Sequence, residues 1–249
     1  MQITILGSGT CVPSAERTAA CISIAAESTT VLLDSGPGSL HQMRKAGISS
    51  NDVDLLCYTH LHIDHTADFI PLLFASKYAP QKRIRDLAVL ADPEFENHYS
   101  RLINAYGQWI VPDAYTIKWL QPTRPIAFGP LTITCSPVQH TPHSIAFRVH
   151  ERNGACVVYS GDTDYCSSLV ELARNCDLLI LECSFPEGKH TQGHLTPSLA
   201  GRIAAEASCK QVVLTHFYPE CDPQECCRIA AQYFKGEITA GKDQLKIIK

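Results

Sequence analysis

The chain has 249 residues, of which 45% are hydrophobic and 18% are charged, and its formal net charge is −4. This composition excludes a disordered chain, leaves room for one large domain or two small ones, and lacks the basic excess that tight nucleic-acid binding usually shows. No apolar run approaches the roughly 20 residues of a membrane span, and residues 1–7 do not resemble a signal peptide, so we expect a cytoplasmic protein.

In the first half, short apolar runs bounded by Gly, Ser or Pro alternate with helical patterns. The patterns predict strands at residues 3–6, 22–25, 31–33, 53–58 and 87–90. They predict helices at residues 36–47, 66–78 and 93–106, the last with a proline in its first turn, where proline is well tolerated.

The second half begins with strands and ends with helices. Strands are predicted at residues 115–120, 131–135, 145–149, 156–160, 178–182, 212–215 and 245–248, and helices at 167–174, 197–207 and 223–234. Strands come first in each half, with no short repeat and no linker. This order favours an α/β fold of two packed sheets with helices outside, a four-layer αββα sandwich, in a single domain over residues 1–249.

The segment after the strand at 53–58 carries four candidate metal ligands within six residues. They are His60, His62, Asp64 and His65. Imidazole and carboxylate are ligand types that zinc and similar divalent ions prefer, whereas a lone histidine on such a loop is usually an ordinary polar residue. A strand-end loop can turn alternate side chains toward one point and the adjacent Asp64 and His65 toward another. The cluster therefore predicts two neighbouring metals.

This segment resembles the HxHxDH motif of the metallo-β-lactamase superfamily, and the resemblance runs over nearly the whole chain. It is closest to the ribonuclease Z-like branch. Further matching segments are Ile-Leu-Gly-Ser-Gly-Thr at 5–10, Leu-Leu-Asp-Ser-Gly at 32–36, Pro-Val-Gln-His at 137–140 followed by 144–148, Tyr-Ser-Gly-Asp-Thr at 159–163 and Leu-Thr-His-Phe at 214–217. The resemblance implies the fold named above and a metal-dependent hydrolase.

The resemblance also implies a ligand set for two divalent ions, expected to be zinc, although manganese or iron suits the same ligands. One metal would be held by His60, His62 and His140, the other by Asp64, His65 and His216, with Asp162 bridging them. Seven ligands would leave an open position on each metal, as in catalytic sites. Alone, a histidine such as His140 is as often an ordinary core or surface residue.

Three residues receive catalytic roles. Gly-His-Leu-Thr at 193–196 and Glu-Cys-Ser-Phe at 182–185 resemble paired segments in which the histidine contacts the scissile phosphate and assists the leaving group, while the glutamate orients it. These roles are carried to His194 and Glu182, and Asp64 could accept a proton from the bridging water. His194 also precedes a helix start at Thr196, and both interpretations can hold at once. We interpret the remaining histidines as non-catalytic, with His143 close to the pocket rim; they are His41, His98, His143, His150 and His190.

The expected reaction is hydrolysis of a small phosphodiester by metal-bound hydroxide. The alternatives are a ribonuclease Z-type tRNA 3′-processing endonuclease and a non-enzymatic binding or signalling protein on the same fold. Processing enzymes of the branch carry a long basic arm between the third ligand histidine and the bridging aspartate, whereas His140 and Asp162 are only 22 positions apart. The aromatic residues of the 79–125 insert either roof a small-ligand pocket or pack a helix; they are Tyr99, Tyr106, Trp109 and Tyr115. Relatives are often dimers, so a homodimer is a further expectation.

The chain has 12 cysteines but no CxxC pattern. Many of them lie in apolar runs, where free cysteine behaves as a small hydrophobic residue, so we expect reduced core thiols. Cys221, Cys226 and Cys227 cluster near the end, which leaves an accessory metal site open.

Overall fold

The computed structural model describes residues 1–152 and 154–249, which form two seven-stranded sheets with helices on their outer faces. The strands are β1 (Gln2–Gly7), β2 (Cys21–Ala26), β3 (Thr29–Leu33), β4 (Leu55–Cys57), β5 (Leu87–Leu90), β6 (Ile117–Leu120), β7 (Ile126–Phe128), β8 (Leu131–Pro137), β9 (Ile145–Glu151), β10 (Cys156–Tyr159), β11 (Leu178–Glu182), β12 (Gln211–Thr215), β13 (Glu237–Ala240) and β14 (Leu245–Ile248). The helices are α1 (Ser39–Ala46), α2 (Ile63–Thr66), α3 (Phe69–Tyr78), α4 (Glu94–Tyr106), α5 (Ser167–Ala173), α6 (Pro197–Ala207) and α7 (Pro223–Ala230).

Each sheet has an antiparallel half and a parallel half. The strand order is β14-β1-β2-β3-β4-β5-β6 in the first sheet and β13-β12-β11-β10-β9-β8-β7 in the second. Neighbours are antiparallel from β14 to β3 and from β7 to β10. They are parallel from β3 to β6 and from β10 to β13. The carboxyl ends of parallel strands, where α/β proteins commonly bind ligands, therefore occur in both sheets.

The central strands are buried on both faces. β3 directs Val31 and Leu33 into the layer between the sheets and Leu32 toward the outer helices. β11 does the same with Ile180 inside and Leu181 outside. Covered strands of this kind appear in a sequence as continuous apolar runs, which is how they were predicted. The predicted αββα sandwich is confirmed.

The predicted helix at residues 66–78 is wrong at its start, because the chain forms α2, then a break, then α3. The break is at Asp68. Its backbone N–H donates to Ser35 O at 2.9 Å, and its carboxylate accepts from the Leu40 backbone at 2.9 Å. These tertiary hydrogen bonds join the ligand segment to the loop before α1 and to the first turn of α1, and no local sequence pattern predicts them.

Two strands, β7 and β13, were not predicted, since both are short edge strands with only half-buried side chains. Several predicted elements are longer than the observed ones. The strand at 53–58 is confined to Leu55–Cys57, the strand at 115–120 begins at Ile117, the helix at 36–47 is confined to Ser39–Ala46, and the helix at 223–234 ends at Ala230. The single domain over residues 1–249 stays a prediction. Within the described residues no helix is long and apolar enough to cross a membrane. A cytoplasmic location also stays a prediction.

Candidate metal centre

The seven predicted ligands follow the ends of strands from both sheets, on loops and on the short helix α2. The first sheet contributes the segment after β4, with His60 and His62 before α2 and Asp64 and His65 within it; the second contributes His140 after β8, Asp162 after β10 and His216 after β12. The site is therefore assembled only when the two sheets pack together.

One group consists of His60, His62, His140 and Asp162, each of which offers a ligand atom within 4.8 Å of the others. The Nε2 of His140 is 3.0 Å from the Nδ1 of His62. The Nε2 atoms of His60 and His140 are each 3.7 Å from Oδ2 of Asp162. These four atoms could hold one cation.

A second group consists of Asp64, His65 and His216, with ligand atoms again within 4.8 Å. The Nε2 of His216 is 3.4 Å from Oδ2 of Asp64. The other oxygen of Asp162, Oδ1, is 3.2 Å from His65 Nε2 and 3.3 Å from His216 Nε2. The two oxygens of Asp162 thus face different groups, as a bridging carboxylate requires. The structure brings all seven residues together, and their roles as ligands stay predictions.

Asp34 orients two of these histidines. Its Oδ2 accepts hydrogen bonds from His65 Nδ1 at 2.7 Å and from the Thr59 hydroxyl at 2.9 Å. Because the hydroxyl proton is used there, Thr59 Oγ1 accepts from His60 Nδ1 at 3.0 Å. Both imidazoles then carry a proton on Nδ1 and turn the lone pair of Nε2 toward the cluster, which is the tautomer a metal ligand needs.

His140 is oriented by backbone. Its Nδ1 donates to Gly193 O at 2.9 Å, so that its Nε2 also faces the cluster with a lone pair. Gly193 has φ 88°, and a Cβ at this position would lie 2.9 Å from His140 Nδ1. The position therefore requires glycine for both its backbone conformation and its close approach to the ring.

Two atoms at the centre of the cluster test whether a cation fits. Among the described residues, His60 Nε2 and Asp162 Oδ1 are buried without a hydrogen-bond partner. An unsatisfied buried polar atom costs roughly 1–3 kcal/mol, more when it is charged. The atoms that face them are imidazole nitrogens and a carboxylate oxygen, which are ligand types of zinc. The donor set therefore fits divalent cations, which would satisfy both atoms at once.

The charge states of the cluster also suit cations. Burial and the neighbouring His65 hold the pKa of His60 well below its ordinary value, so its ring is neutral. Burial raises the pKa of Asp162, but the charges of His216 and His65 outweigh it and the net pKa is well below the usual range. Burial lowers the pKa of His65, but the charges of Asp162 and Asp34 have the larger effect, and the net pKa is well above its ordinary value. A cation would therefore displace protons from this site as it binds.

His194 and Glu182 lie beside the ligands. His194 Nδ1 donates to Glu182 Oε1 at 3.0 Å, and one of its ring nitrogens lies within 4.8 Å of ligand atoms of Asp162 and His216. Glu182 is fully buried. Burial lowers the pKa of His194, but the hydrogen bond and charge of Glu182 raise it, with a net increase. The pair can hold a proton at the edge of the cluster.

Backbone strain occurs at two positions of the site. Asp34 and His216 both have φ 59°, in the left-handed region. Gly161, before Asp162, has φ 57°, and a Cβ there would lie 2.6 Å from Thr59 Cβ. Such strain persists only where surrounding structure enforces it and is commonly found at functional sites.

Sequence reasoning did not find three of the residues that orient the ligands. Thr59, Ser184 and Gly193 each bond to a ring nitrogen of a predicted ligand. Thr59 precedes the HxHxDH segment and Ser184 follows Glu182 by two positions, so adjacency to a motif was the available signal. Hydroxyl and glycine residues are too common in loops for that signal to be used alone.

The cysteines and the remaining histidines lie outside the metal-binding groups. In the described part of the chain, no group of side chains able to hold a metal includes a cysteine, so an accessory site at Cys221, Cys226 and Cys227 has no geometric support. The exposed His143 lies 3.2 Å from the carboxylate of Asp92.

Of the four aromatic residues in the 79–125 insert, two pack against the protein and two are exposed. Tyr99 is buried and donates to Ile110 O at 3.0 Å, and Tyr115 is half-buried beside Arg83. Tyr106 and Trp109 are exposed. The packing interpretation therefore holds for two of the four side chains.

Comparisons with known proteins agree with this architecture. The β-lactamase superfamily domain matches residues 29–217. The uncharacterized protein Rv1339 of Mycobacterium tuberculosis is 32% identical over 248 residues, which cover 96% of this chain and 89% of the relative. Ribonuclease Z of Streptomyces avermitilis is 27% identical over 294 residues, covering 99% of this chain and 97% of the relative.

A solved structure gives the same result. The crystal structure of the metallo-β-lactamase fold protein YhfI from Bacillus subtilis superposes with a TM-score of 0.88 at 25% identity, covering 99% of this chain and 98% of that chain. YhfI is named a probable metallo-hydrolase. The chain therefore belongs to the β-lactamase superfamily and is a metal-dependent hydrolase, as its HxHxDH segment predicts.

Proposed function

We propose that the chain is a phosphodiesterase that uses two divalent cations, in the first instance zinc, to hydrolyse a small phosphodiester. The observation that carries this proposal is the His194–Glu182 pair, which lies beside two groups of candidate ligands that share Asp162. A pair of cations in such a site lowers the pKa of water and neutralises charge on a phosphoryl group. The nitrogen-rich donor set favours zinc.

Residues of the chain would donate and accept the protons that the reaction transfers. With Nδ1 donated to Glu182, a protonated His194 can give its other ring proton to the oxygen of the leaving group. Glu182 stabilises the imidazolium and holds the ring in place. Asp64 is a weaker candidate for proton acceptor than its position suggests. Burial raises the pKa of Asp64, but the neighbouring imidazoles of His216 and His65 lower it far below the usual range. Its main role would be to bind a cation.

A small substrate is favoured over tRNA by the length of the chain. β9 ends at Glu151 and β10 begins at Cys156, which leaves no room for a substrate-binding arm between His140 and Asp162. The alignment with ribonuclease Z extends over 294 positions, 45 more than this chain has residues. The alignment with the probable metallo-hydrolase YhfI extends over 248. The net charge of −4 also disfavours a polyanionic substrate.

We expect the purified protein to contain about two divalent ions per chain. Asp162→Ala should lose both, because its two oxygens face different ligand groups, and His140→Ala should lose about one. Elemental analysis after gel filtration measures the content, with the exposed His150→Ala as the matched control that retains two. A wild-type protein with one ion or none, whatever ions are supplied, would contradict the dinuclear proposal.

His194→Ala should lower kcat about 10²-fold or more on a diester with an alkoxide leaving group, since such a group needs a proton as it departs. The decrease should be smaller on bis-p-nitrophenyl phosphate, whose nitrophenolate departs without one. Steady-state kinetics on both substrates, with metal content checked and His150→Ala as control, measures the difference. Equal losses on the two substrates would assign His194 to binding instead of proton donation.

The choice of substrate has a direct test. We expect hydrolysis of members of a panel of cyclic nucleotides and aryl diesters, and no 3′ cleavage of precursor tRNA. Inactivity on every small diester together with tRNA cleavage would favour the ribonuclease Z-type alternative. Inactivity on both classes by a protein loaded with two ions would refute the phosphodiesterase proposal.

We also propose that the chain forms a homodimer through an apolar face made by α3, the end of α4, the start of α2 and the segment that follows α4, here called the α3–α4 face. Exposed side chains form this face: Ile63, Phe74, Tyr78, Tyr106 and Trp109, between 44% and 66% exposed. α3 is apolar on both sides, since it buries Phe69, Leu72 and Leu73 against the core while its exposed side carries Phe74 and Tyr78. A helix that is apolar all round is normally covered.

The α3–α4 face has the shape of a self-complementary interface. The rings of Phe74 and Tyr78 are 4.6 Å apart, and Trp109 lies 5.7 Å from Tyr78, so that they form one protruding cluster. Beside it is a groove of about 480 Å³ between α3 and α4, lined by residues such as Ile70 and Leu102. A surface with both a protrusion and a groove can pack against a second copy of itself around a twofold axis.

The area of the face also suits a dimer. Aromatic side chains bury roughly 150–250 Å² each, so five large residues exposed by about half offer roughly 500 Å². That is most of the roughly 800 Å² per partner in a standard interface. The ammonium of Lys77 does not oppose association, since it donates to Gln108 O and Val111 O at 2.9 and 2.8 Å.

We expect the wild-type protein to sediment as a dimer at micromolar concentration. The double variant Phe74→Glu/Trp109→Glu should be monomeric. Dimerisation would remove water from two carboxylates in each subunit, and this desolvation is unfavourable. Ile84→Glu is the matched control, since Ile84 is 77% exposed and lies outside the face. A monomeric wild-type protein in analytical ultracentrifugation would refute the homodimer proposal.

A further inference from the structure

Ser184 links a proposed metal ligand to the proposed catalytic pair. It is fully buried and lies two residues after Glu182, just beyond the end of β11. Its Oγ is 2.5 Å from Glu182 Oε2 and 3.0 Å from His216 Nδ1. The hydroxyl group therefore lies between a carboxylate and an imidazole.

Counting donors and acceptors decides the direction of these bonds. The carboxylate of Glu182 can only accept, so the single hydroxyl proton of Ser184 is donated to it. Toward His216 the oxygen of Ser184 is then an acceptor, and His216 Nδ1 must carry a proton. The other ring nitrogen, Nε2, consequently presents its lone pair to Asp162 and His65, at 3.3 and 3.2 Å.

The opposite tautomer of His216 is disfavoured on both sides of the ring. A bare Nδ1 would require the Ser184 hydroxyl to turn away from Glu182. A proton on Nε2 would point into the proposed cation site. One hydroxyl group thus selects the form of His216 that can bind a cation.

Glu182 is held in place so that it can serve both histidines. Its Oε1 accepts from His194 Nδ1 at 3.0 Å and from Thr163 N at 2.7 Å. Its Oε2 accepts from Leu195 N at 3.1 Å and from Ser184. With this many donors and no exposure, the carboxylate is held in one position. It orients His194 directly and His216 through Ser184.

The same arrangement occurs in the other sheet. Asp34 binds His65 directly and His60 through the hydroxyl of Thr59. Asp34 follows β3, whereas Glu182 ends β11, and both strands belong to the parallel half of their sheet. Two buried carboxylates, each with one intervening hydroxyl group, therefore orient four histidines.

We propose that Ser184 is a positioning residue that sets the tautomer of His216 for the cation held with Asp64 and His65, and joins that ligand to the Glu182–His194 pair. The proposal rests on the dinuclear function proposed above. A hydrogen bond to the distal nitrogen of a ligating histidine typically contributes 10- to 100-fold to metal affinity. Loss of Ser184 should therefore weaken one of the two cations selectively.

The first experiment measures the tautomer in the metal-free protein. Nitrogen-15 NMR of the imidazole rings, recorded about two units above the ordinary histidine pKa of ~6.5, should find His216 protonated on Nδ1 in the wild type. In Ser184→Ala this preference should fall, while His140, held by Gly193, should not change. A wild-type His216 protonated on Nε2, or no change in the variant, would overturn the proposal.

The second experiment measures zinc affinity by competition with a chromophoric chelator. Of the two zinc ions, the one held with His216 should bind 10- to 100-fold less tightly to Ser184→Ala than to the wild type. The affinity for the other ion should not change. Ser76→Ala, which removes a fully buried hydroxyl group from α3, is the matched control for packing and should retain both affinities. Equal weakening of both ions, or the same loss in the control, would indicate a general structural effect. A wild type that binds no zinc would instead refute the dinuclear function.

Discussion

The structure depends on one electrostatic constraint: acceptor atoms are brought together in a buried space where they would repel one another. His65 Nε2 and His216 Nε2 face each other at 3.2 Å, and Asp162 Oδ1 has no hydrogen-bond partner among the described residues. Such an arrangement is unfavourable unless positive charge lies between the atoms. Protons supply it in the metal-free protein and divalent cations would supply it in the working enzyme. The surrounding fold must therefore hold the ligands against their own repulsion.

The fold meets this requirement with rigid carboxylates at the ends of central strands. Asp34 in the first sheet and Glu182 in the second are both buried, and each orients two histidines through one direct bond and one hydroxyl group. Because each carboxylate lies at the end of a strand that is covered on both faces, its position is set by the cores of the sandwich. The packing of the two sheets therefore fixes the positions of the side chains in the site.

Much of the fold could be predicted, because covered strands appear as apolar runs and because the HxHxDH segment is specific. The ligand residues were predicted from motifs in sequence order, and the structure brings all of them together. The features that were missed have two physical causes. β7 and β13 are edge strands with little burial, and they are only three and four residues long, so their apolar pattern is too short to stand out. The break before α3 depends on hydrogen bonds from Asp68 to Ser35 and Leu40, which are distant in the chain.

The sequence by itself determined the chemistry: the ligand types, their spacing in the HxHxDH segment and the apolar periodicities that specify two sheets and their helices. Only the tertiary structure decided which nitrogen of each histidine faces the cluster and that the two oxygens of Asp162 face different ligand groups. It also decided that the hydroxyl groups of Thr59 and Ser184 link Asp34 to His60 and Glu182 to His216 by hydrogen bonds. The physical reason is that spacing along the chain specifies which side chains can meet. Tautomers and hydrogen-bond directions depend on partners supplied by other strands, and for His140 and His216 those partners lie 53 and 32 residues away.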